Sequence, residues 1–140
     1  MKDLELAKHR LKQKNLDLVI AKNGKIVFQN GFKGIRGLLN AREKLGKESI
    51  GSSIADRIVG RAAALLCAYS KATSVFAITI SGEAIKVLED NKIFHRFENR
   101  VPNILNYEGN DICPFEKLVM GLTKPEEAYE KLKSFVETHG

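Results

Sequence analysis

The stretch SIADRIVGRAAALLCAYS, residues 53–70, constrains the fold more than any other part of the chain. If it forms a helix from about residue 56 to 70, apolar side chains cover almost the whole circumference of that helix. Such a helix is normally buried between other elements. Ser53 followed by Asp56 resembles a capping box at the helix start, and Gly60 indicates that another part of the chain packs closely there. We therefore expect a layered fold around this segment.

Strand and helix patterns alternate along the rest of the chain. The segment LDLVIAKNGKIVFQN predicts a hairpin around an Asn-Gly turn. A β-branched run predicts a buried strand at 74–80, and Ser81 is placed to cap the next helix. The other predicted elements are strands at 17–22, 25–29 and 93–98, and helices at 3–14, before Gly46, at 82–91, at 114–121 and after Thr123. This order predicts a single domain over residues 1–140, an α/β fold built as a three-layer α/β/α sandwich with a mixed sheet.

Positive charge is concentrated in the first third of the chain. Residues 1–47 contain 12 Lys and Arg against 4 Asp and Glu. A basic segment can attract nucleic acid, but no aromatic platform accompanies this one. We favour the alternative, in which residues 1–14 form a basic helix, packed on or flanking the domain, with a solvated face. No apolar run is long enough to span a membrane, and the charged N-terminus does not resemble a secretory signal, so we expect a cytoplasmic protein without membrane contact.

Several motifs together resemble a small prokaryotic family of unknown function that has the cytidine deaminase-like fold. They are Asp56-Arg57, Gly60-Arg61 followed by two alanines, Ser81 after the central strand, and a Cys-Pro-x-Glu element from Cys113 to Glu116. The resemblance extends over residues 16–133. It implies the cytidine deaminase-like fold but no particular activity, because the function of that family is not established.

The deaminase fold raises the question of zinc. Zinc deaminases carry H-x-E at the start of one central helix and P-C-x-x-C at the start of the next. The segments that we align with them, SIADRIV and TISGEAI, contain neither histidine nor cysteine, and carboxylates without nitrogen or sulfur partners are poor zinc ligands. A substitute site made of Cys113, His95 and Asp56 matches no standard spacing. We predict no metal, no cofactor and no zinc-dependent deamination.

Open α/β sheets bind ligands at the carboxyl ends of their strands, where helices begin. Three predicted helix starts, at 53–57, 81–83 and 111–116, would meet there and favour an anion. Arg57 and Arg61 would lie one turn apart on the buried helix. Two buried guanidinium groups require anionic partners, because unpaired buried charge is very costly.

The partners of these arginines could belong to a ligand or to the chain. A ligand would offer a phosphate or carboxylate, whereas the chain offers Asp56, Glu83 and Glu116 as a structural network. On the first alternative, the protein binds a small anionic, nucleotide- or phosphate-like molecule. The predicted ligand-binding residues are Arg57, Arg61, Ser81 and Glu116. A homodimer is compatible with so small an α/β domain, although nothing in the sequence shows it.

Cys113 suggests an enzymatic alternative. With Pro114 as the first helical residue, Cys113 is the N-cap, and the positive helix end favours its thiolate form. Glu116 would reach back to the Cys113 amide as in a capping box. Cys113 would then act as a nucleophile without a metal, with Asp56 or His95 as its base. Cys67, by contrast, lies inside the apolar run and is predicted to be a core residue.

Overall fold

A mixed sheet organises the computed structural model, which describes residues 2–31 and 34–139. In these residues the strands are β1 (Leu18–Lys22), β2 (Lys25–Asn30), β3 (Ser53–Val59), β4 (Ser74–Ser81) and β5 (Phe94–Val101). Their order in the sheet is β2-β1-β3-β4-β5. β1 is antiparallel to both β2 and β3, whereas β3, β4 and β5 run parallel. The predicted mixed sheet is therefore confirmed.

Helices pack on both faces of the sheet. The described helices are α1 (Lys2–Gln13), α2 (Ile35–Leu45), α3 (Arg61–Tyr69), α4 (Gly82–Asp90), α5 (Pro114–Leu118) and α6 (Pro125–His139), with a 3-10 turn at Gly46–Ser49. Side chains of β1 alternate between the two layers. Leu18 and Ile20 pack towards α2 and α3, whereas Val19 and Ala21 pack towards α1. The α/β class and the three-layer arrangement are as predicted.

The hairpin forms at the predicted turn. Asn23 and Gly24 have φ angles of 53° and 77°, and a type I′ turn requires positive φ at both positions. The Asp3 carboxylate accepts hydrogen bonds from the amides of Asn23 and Gly24, at 3.0 and 2.8 Å. The first turn of α1 is therefore tied to the tip of the hairpin.

The predicted helix from 56 to 70 is wrong in its first part. Residues up to Val59 form β3, which pairs with β1 on one side and with β4 on the other, and the helix begins only after Gly60. The Ser53 hydroxyl accepts a hydrogen bond from Ser74 Oγ at 2.7 Å, within the sheet, so the proposed capping box does not exist. A short apolar run fits a buried strand and a buried helix equally well, and only pairing with neighbouring strands distinguishes the two.

α1 is part of the core. Leu4, Ala7 and Leu11 are buried against the sheet, beside Phe76 of β4. Its basic residues flank this buried stripe: Lys8 Nζ lies 5.2 Å from the centroid of the Phe76 ring, Arg10 donates to Gln29 of β2, and the Lys12 ammonium pairs with the Glu98 carboxylate of β5. α1 is therefore packed on the sheet, and the solvated-face interpretation of the basic N-terminus stays a prediction. None of the described helices combines the length and the apolar character that crossing a membrane requires.

Candidate ligand pocket

A cavity of about 540 Å³ lies along the carboxyl-terminal half of β3. Parts of the chain that are distant in sequence form its walls: the end of β3, the starts of α2, α3 and α5, and the loop before α5. Its described lining consists of Asp17, Gly34, Ile35, Asp56, Arg57, Ile58, Gly60, Ala63, Ile104, Leu105, Asn106, Tyr107, Cys113, Pro114, Phe115 and Glu116. Both the position and the size are typical of small-molecule sites in α/β proteins.

Asp56 contributes a buried carboxyl group to the wall of this cavity. The residue is only 4% exposed. Burial raises the pKa of Asp56 to about 8, against the lowering effect of the backbone amides of Ile58 and Arg57. The nearby charge of Asp17 raises this pKa further, and that of Arg57 lowers it. At neutral pH the Asp56 side chain is therefore mainly an uncharged acid that can donate a hydrogen bond.

Arg57 lies on β3 and not on a helix, so the predicted one-turn relation to Arg61 is wrong. Its Nε lies 3.3 Å from Oδ1 of Asp17. Its Nη2 donates to the Leu16 carbonyl at 2.7 Å and to Oδ1 of Asn15 at 3.0 Å. These contacts hold the guanidinium group at the corner between α1 and β1. The ionic partner of Arg57 within the chain is therefore Asp17, and no local sequence signal indicates this pair.

Arg61 is held by a different set of contacts. Its Nε lies 3.2 Å from Oε2 of Glu83, and its Nη1 donates to the Leu122 carbonyl at 2.7 Å. Arg61 is not among the described residues that line the cavity. Glu83 was one of the acidic partners considered for the arginines, so the structure supports the structural network at this position.

Glu116 caps α3 instead of its own helix. Its two carboxylate oxygens accept hydrogen bonds from the amides of Arg61 and Ala62, both at 2.8 Å. The Cys113 amide donates to the Ile104 carbonyl, so the predicted capping box within α5 is wrong. Burial raises the pKa of Glu116, whereas the two amide hydrogen bonds lower it.

Gly60 leaves the space that this carboxylate occupies. A β-carbon built at Gly60 would lie 2.6 Å from Cδ of Glu116, far inside van der Waals contact. The expectation that another part of the chain approaches Gly60 is therefore correct, and the approaching group is the Glu116 side chain. This contact brings the start of α5 against the start of α3 and so closes one side of the cavity.

Cys113 lines the same cavity as Asp56. It is the N-cap residue of α5, it is half-buried, and its side chain makes no capping hydrogen bond. His95, the other base considered, lies at the start of β5, where it pairs with Val75, and is not part of the described lining. The fold therefore brings Cys113 and Asp56 to one cavity and leaves His95 out of it. Cys67 is fully buried, as expected of a core residue.

Ser81 caps α4 as predicted. Its hydroxyl oxygen accepts a hydrogen bond from the Ala84 amide at 3.1 Å. The residue lines a second cavity of about 30 Å³, which also contacts Glu83 and Glu116. A cavity of that size has room for about one water molecule, and Ser81 is not part of the described lining of the 540 Å³ cavity.

The residues do not fit the zinc of the deaminases. The segment SIADRIV forms β3, so it does not supply the helix start at which H-x-E would stand. In residues 2–31 and 34–139, no three His, Cys, Asp or Glu side chains are grouped in a way that could hold a metal ion. The carboxylate of Glu116 is already engaged by two amides.

Comparison with known proteins agrees with this architecture. Two crystal forms of RibD from Acinetobacter baumannii align at TM-scores of 0.51 and 0.52, with 11% and 12% identity over 69% of this chain. The chain spans about a third of the length of RibD, 35% and 34% in the two forms. These neighbours have the cytidine deaminase-like fold. The predicted fold is therefore confirmed, and the similarity shows the fold alone.

The family is shown by a match over almost the whole chain. Residues 6–136 match the family model described as a domain of unknown function, DUF1893, and the chain belongs to that family. The crystal structure of a DUF1893 family protein from Thermotoga maritima aligns at a TM-score of 0.86. That alignment has 27% identity and covers 94% of this chain and 88% of the other. A search of curated proteins gave no significant match.

The contact between Gly60 and Glu116 generates a stability prediction. Gly60→Ala should lower the free energy of unfolding by about 1–3 kcal/mol, because the added methyl group displaces a carboxylate that satisfies two helix N–H groups. Urea unfolding measures this change. Gly31→Ala is the matched control, since open space surrounds Gly31. Glu116→Ala should cost less in the Gly60→Ala background than in the native chain, and equal costs would contradict the contact.

The buried carboxyl group of Asp56 should make the stability of the folded protein depend on pH. Its pKa is about 8 in the folded protein and near 3.8 when unfolded, so the folded state holds an extra proton between these values. Stability should therefore fall as pH rises from about 4 to 8, by up to about 1.4 kcal/mol per pH unit. Asp56→Asn cannot ionise, so its stability relative to the native chain should increase over this range. Urea unfolding at several pH values tests this, and parallel pH profiles would contradict it.

Proposed function

We propose that the protein binds a small anionic ligand, of nucleotide or phosphate type, in the cavity beside β3. The observation that carries the proposal is the uncharged, buried carboxyl of Asp56 in the wall of a ligand-sized cavity. Apolar side chains such as Ile58, Leu105 and Phe115 supply most of the remaining described surface. Ligand sites commonly combine an apolar wall with a few placed polar groups.

Arg57 is the proposed partner of the anionic group. It is the basic side chain in the described lining of the cavity. Its contacts with Asn15, Leu16 and Asp17 use Nε and Nη2. Nη1 makes none of these contacts and remains for a ligand oxygen. A guanidinium group held in this way is already oriented, so binding costs less side-chain entropy.

Asp56 is the proposed partner of the ligand's neutral part. As an acid it offers one O–H donor and a carbonyl acceptor side by side. This pair is complementary to an amide or amidine edge, such as the hydrogen-bonding edge of a nucleobase. An uncharged Asp56 also does not repel an anion, whereas its carboxylate would. Glu116 would contribute by holding the start of α5 against the start of α3, whereas Arg61 and Ser81 lie outside the described lining of the cavity.

The proposal predicts that binding weakens as Asp56 ionises. Isothermal titration calorimetry should detect binding of at least one nucleoside 5′-monophosphate at pH 7, with weaker binding of the matching nucleoside and of inorganic phosphate. The affinity should fall above pH 8, by up to about tenfold per pH unit, because one proton is linked to binding. Asp56→Asn should bind at pH 7 and lose this pH dependence, since the amide keeps one donor and one acceptor.

Two further variants complete this experiment. Arg57→Gln should weaken the monophosphate more than the nucleoside, because it removes the charge that contacts the phosphate. Glu98→Gln, on the exposed strand β5, is the control and should bind as the native chain does. The proposed site would be refuted by the absence of binding to every nucleotide tested. It would also be refuted if Arg57→Gln bound the monophosphate as the native chain does and Asp56→Asn kept the native pH dependence.

A second candidate function is thiol catalysis, favoured by the presence of Cys113 and Asp56 in one cavity. Sγ of Cys113 would form a bond to an electrophilic carbon of the substrate, and its proton would pass to the Asp56 carboxylate and then to the leaving group. This role requires the ionised form of Asp56. Activity would therefore rise as pH increases through about 8, in the opposite direction to ligand binding.

The second candidate predicts a specific effect of Asp56 on the reactivity of Cys113. Alkylation by iodoacetamide, followed by peptide mass spectrometry, should be slower in Asp56→Asn than in the native chain above about pH 8, because Asn cannot accept the thiol proton. Cys67 is the internal control. Burial raises the pKa of its thiol far above the usual range, so it should stay unmodified while the protein is folded. Equal rates in both chains at every pH would exclude Asp56 as the base.

A further inference from the structure

The outer edge of β5 is an unusually open part of the sheet. β5 is eight residues long and lies at the end of the strand order, and β4 is its pairing partner among the described residues. Most of its residues are exposed, and Phe94 and Phe97 are 41% and 40% exposed. Besides the pairing with β4, the described part of the chain contains a backbone hydrogen bond from the Phe94 amide to the carbonyl of Thr73, the residue directly before β4. This bond also lies on the β4 side of the strand. An edge of this kind is a template for pairing with another strand.

Neighbouring elements leave this edge accessible. α1 packs on β1, β3 and β4, and reaches β5 through the pair between Lys12 and Glu98. α4 contacts β5 from the opposite face. Both helices therefore lie above or below the sheet and not at its side, where a further strand would be added in the sheet plane.

The sequence of β5 is self-complementary in charge. Arg96 and Glu98 alternate along the strand, so both project from the same face. In an antiparallel pair of two β5 strands centred on Phe97, Arg96 lies opposite Glu98 of the second copy, and Glu98 opposite Arg96. Two ion pairs then form on one face of the sheet, and the two Phe97 side chains lie opposite each other on the other face. Cross-strand pairs of opposite charge and of aromatic rings both stabilise antiparallel strands.

The neighbouring registers lack this match. A pair centred on Arg96 places two arginines opposite each other, and a pair centred on Glu98 places two glutamates opposite each other. The register centred on Asn99 pairs Glu98 with Arg100, but it overlaps only from residue 97 to 101. The register centred on Phe97 pairs the strand from Phe94 to Arg100, so it combines charge complementarity with nearly full overlap.

The other edge of the sheet does not offer the same surface. β2 reads KIVFQN, and Lys25 is its charged residue. Pairing of two β2 strands would therefore gain no ion pair. Ile26, Val27 and Phe28 are also half-buried by the packing of β2 on the core. Charge complementarity thus distinguishes β5 from β2.

We propose that two copies of the chain associate through antiparallel pairing of their β5 strands, with Phe97 at the two-fold axis and Arg96 facing Glu98 of the partner copy. The two sheets would become one continuous ten-stranded sheet. A strand edge buries a small area, so the dimer belongs to the weak, reversible class of interfaces. The cavities beside β3 lie away from this edge, so dimer formation does not depend on the proposed ligand.

Charge reversal tests this interface with the full chain. Arg96→Glu alone should weaken the dimer about tenfold, because two attractive pairs become repulsive. Glu98→Arg alone should do the same. An equimolar mixture of the two variants should recover the native dimer affinity, since each mixed pair again joins a glutamate to an arginine. Sedimentation velocity over a concentration series gives the dissociation constants, and circular dichroism checks that each variant is folded.

Three outcomes would overturn the proposal. They are a native chain that stays monomeric at the highest concentration measured, a dimer that neither reversal weakens, and single variants whose mixture does not recover. Phe97→Cys in a Cys113→Ser background adds a check on the register, because facing positions can form a disulfide across an antiparallel pair. Asn99→Cys is the matched control and should not cross-link.

Discussion

The hydrogen bonds from the start of α3 to the Glu116 carboxylate hold the candidate site together. The first amides of a helix have no partner within the helix, and α3 has no capping side chain of its own at Gly60. Glu116 supplies the missing acceptors from 54 residues further along the chain. α5 is short and contains no fully buried residue, although Phe115, Leu118 and the adjacent Val119 pack on the core. The carboxylate therefore joins the cavity wall formed by α5 to the centre of the fold.

Three carboxyl groups lie in the described lining of the cavity. Glu116 is engaged by two amides, and Asp17 and Asp56 are in contrasting situations. Asp17 lies beside the Arg57 guanidinium group and pairs with it. Asp56 is buried one strand away, opposite Leu18, and is largely protonated at neutral pH. A cavity with one compensated ion pair and one neutral acid can accept an anion, whereas two free carboxylates would repel it. Ligand binding and thiol catalysis require opposite protonation states of Asp56, so they differ in their dependence on pH.

Local sequence signals predicted much of the fold. The Asn23-Gly24 turn, the Ser81 cap and the burial of Cys67 each depend on residues that are close in sequence, and all three are present. The division of residues 53–70 into a strand and a helix was missed, because alternation over seven residues is hidden beside a longer apolar run. The misplaced helix start also put Arg57 and Arg61 on a common face, although their partners lie in different parts of the fold.

The sequence by itself determined the alternation of strands and helices and the position of the hairpin. It also identified Cys113, Asp56 and Glu116 as candidate site residues. Turn geometry, capping and hydrophobic periodicity act over a few residues, so they can be read from the chain directly. Only the tertiary structure decided which groups meet: Glu116 with the start of α3, Arg57 with Asp17, and Asp56 with the cavity that contains Cys113. In most cases these contacts join residues that are 40 or more positions apart in the chain. Strand pairing and burial bring such residues together, and neither has a local signature in the sequence.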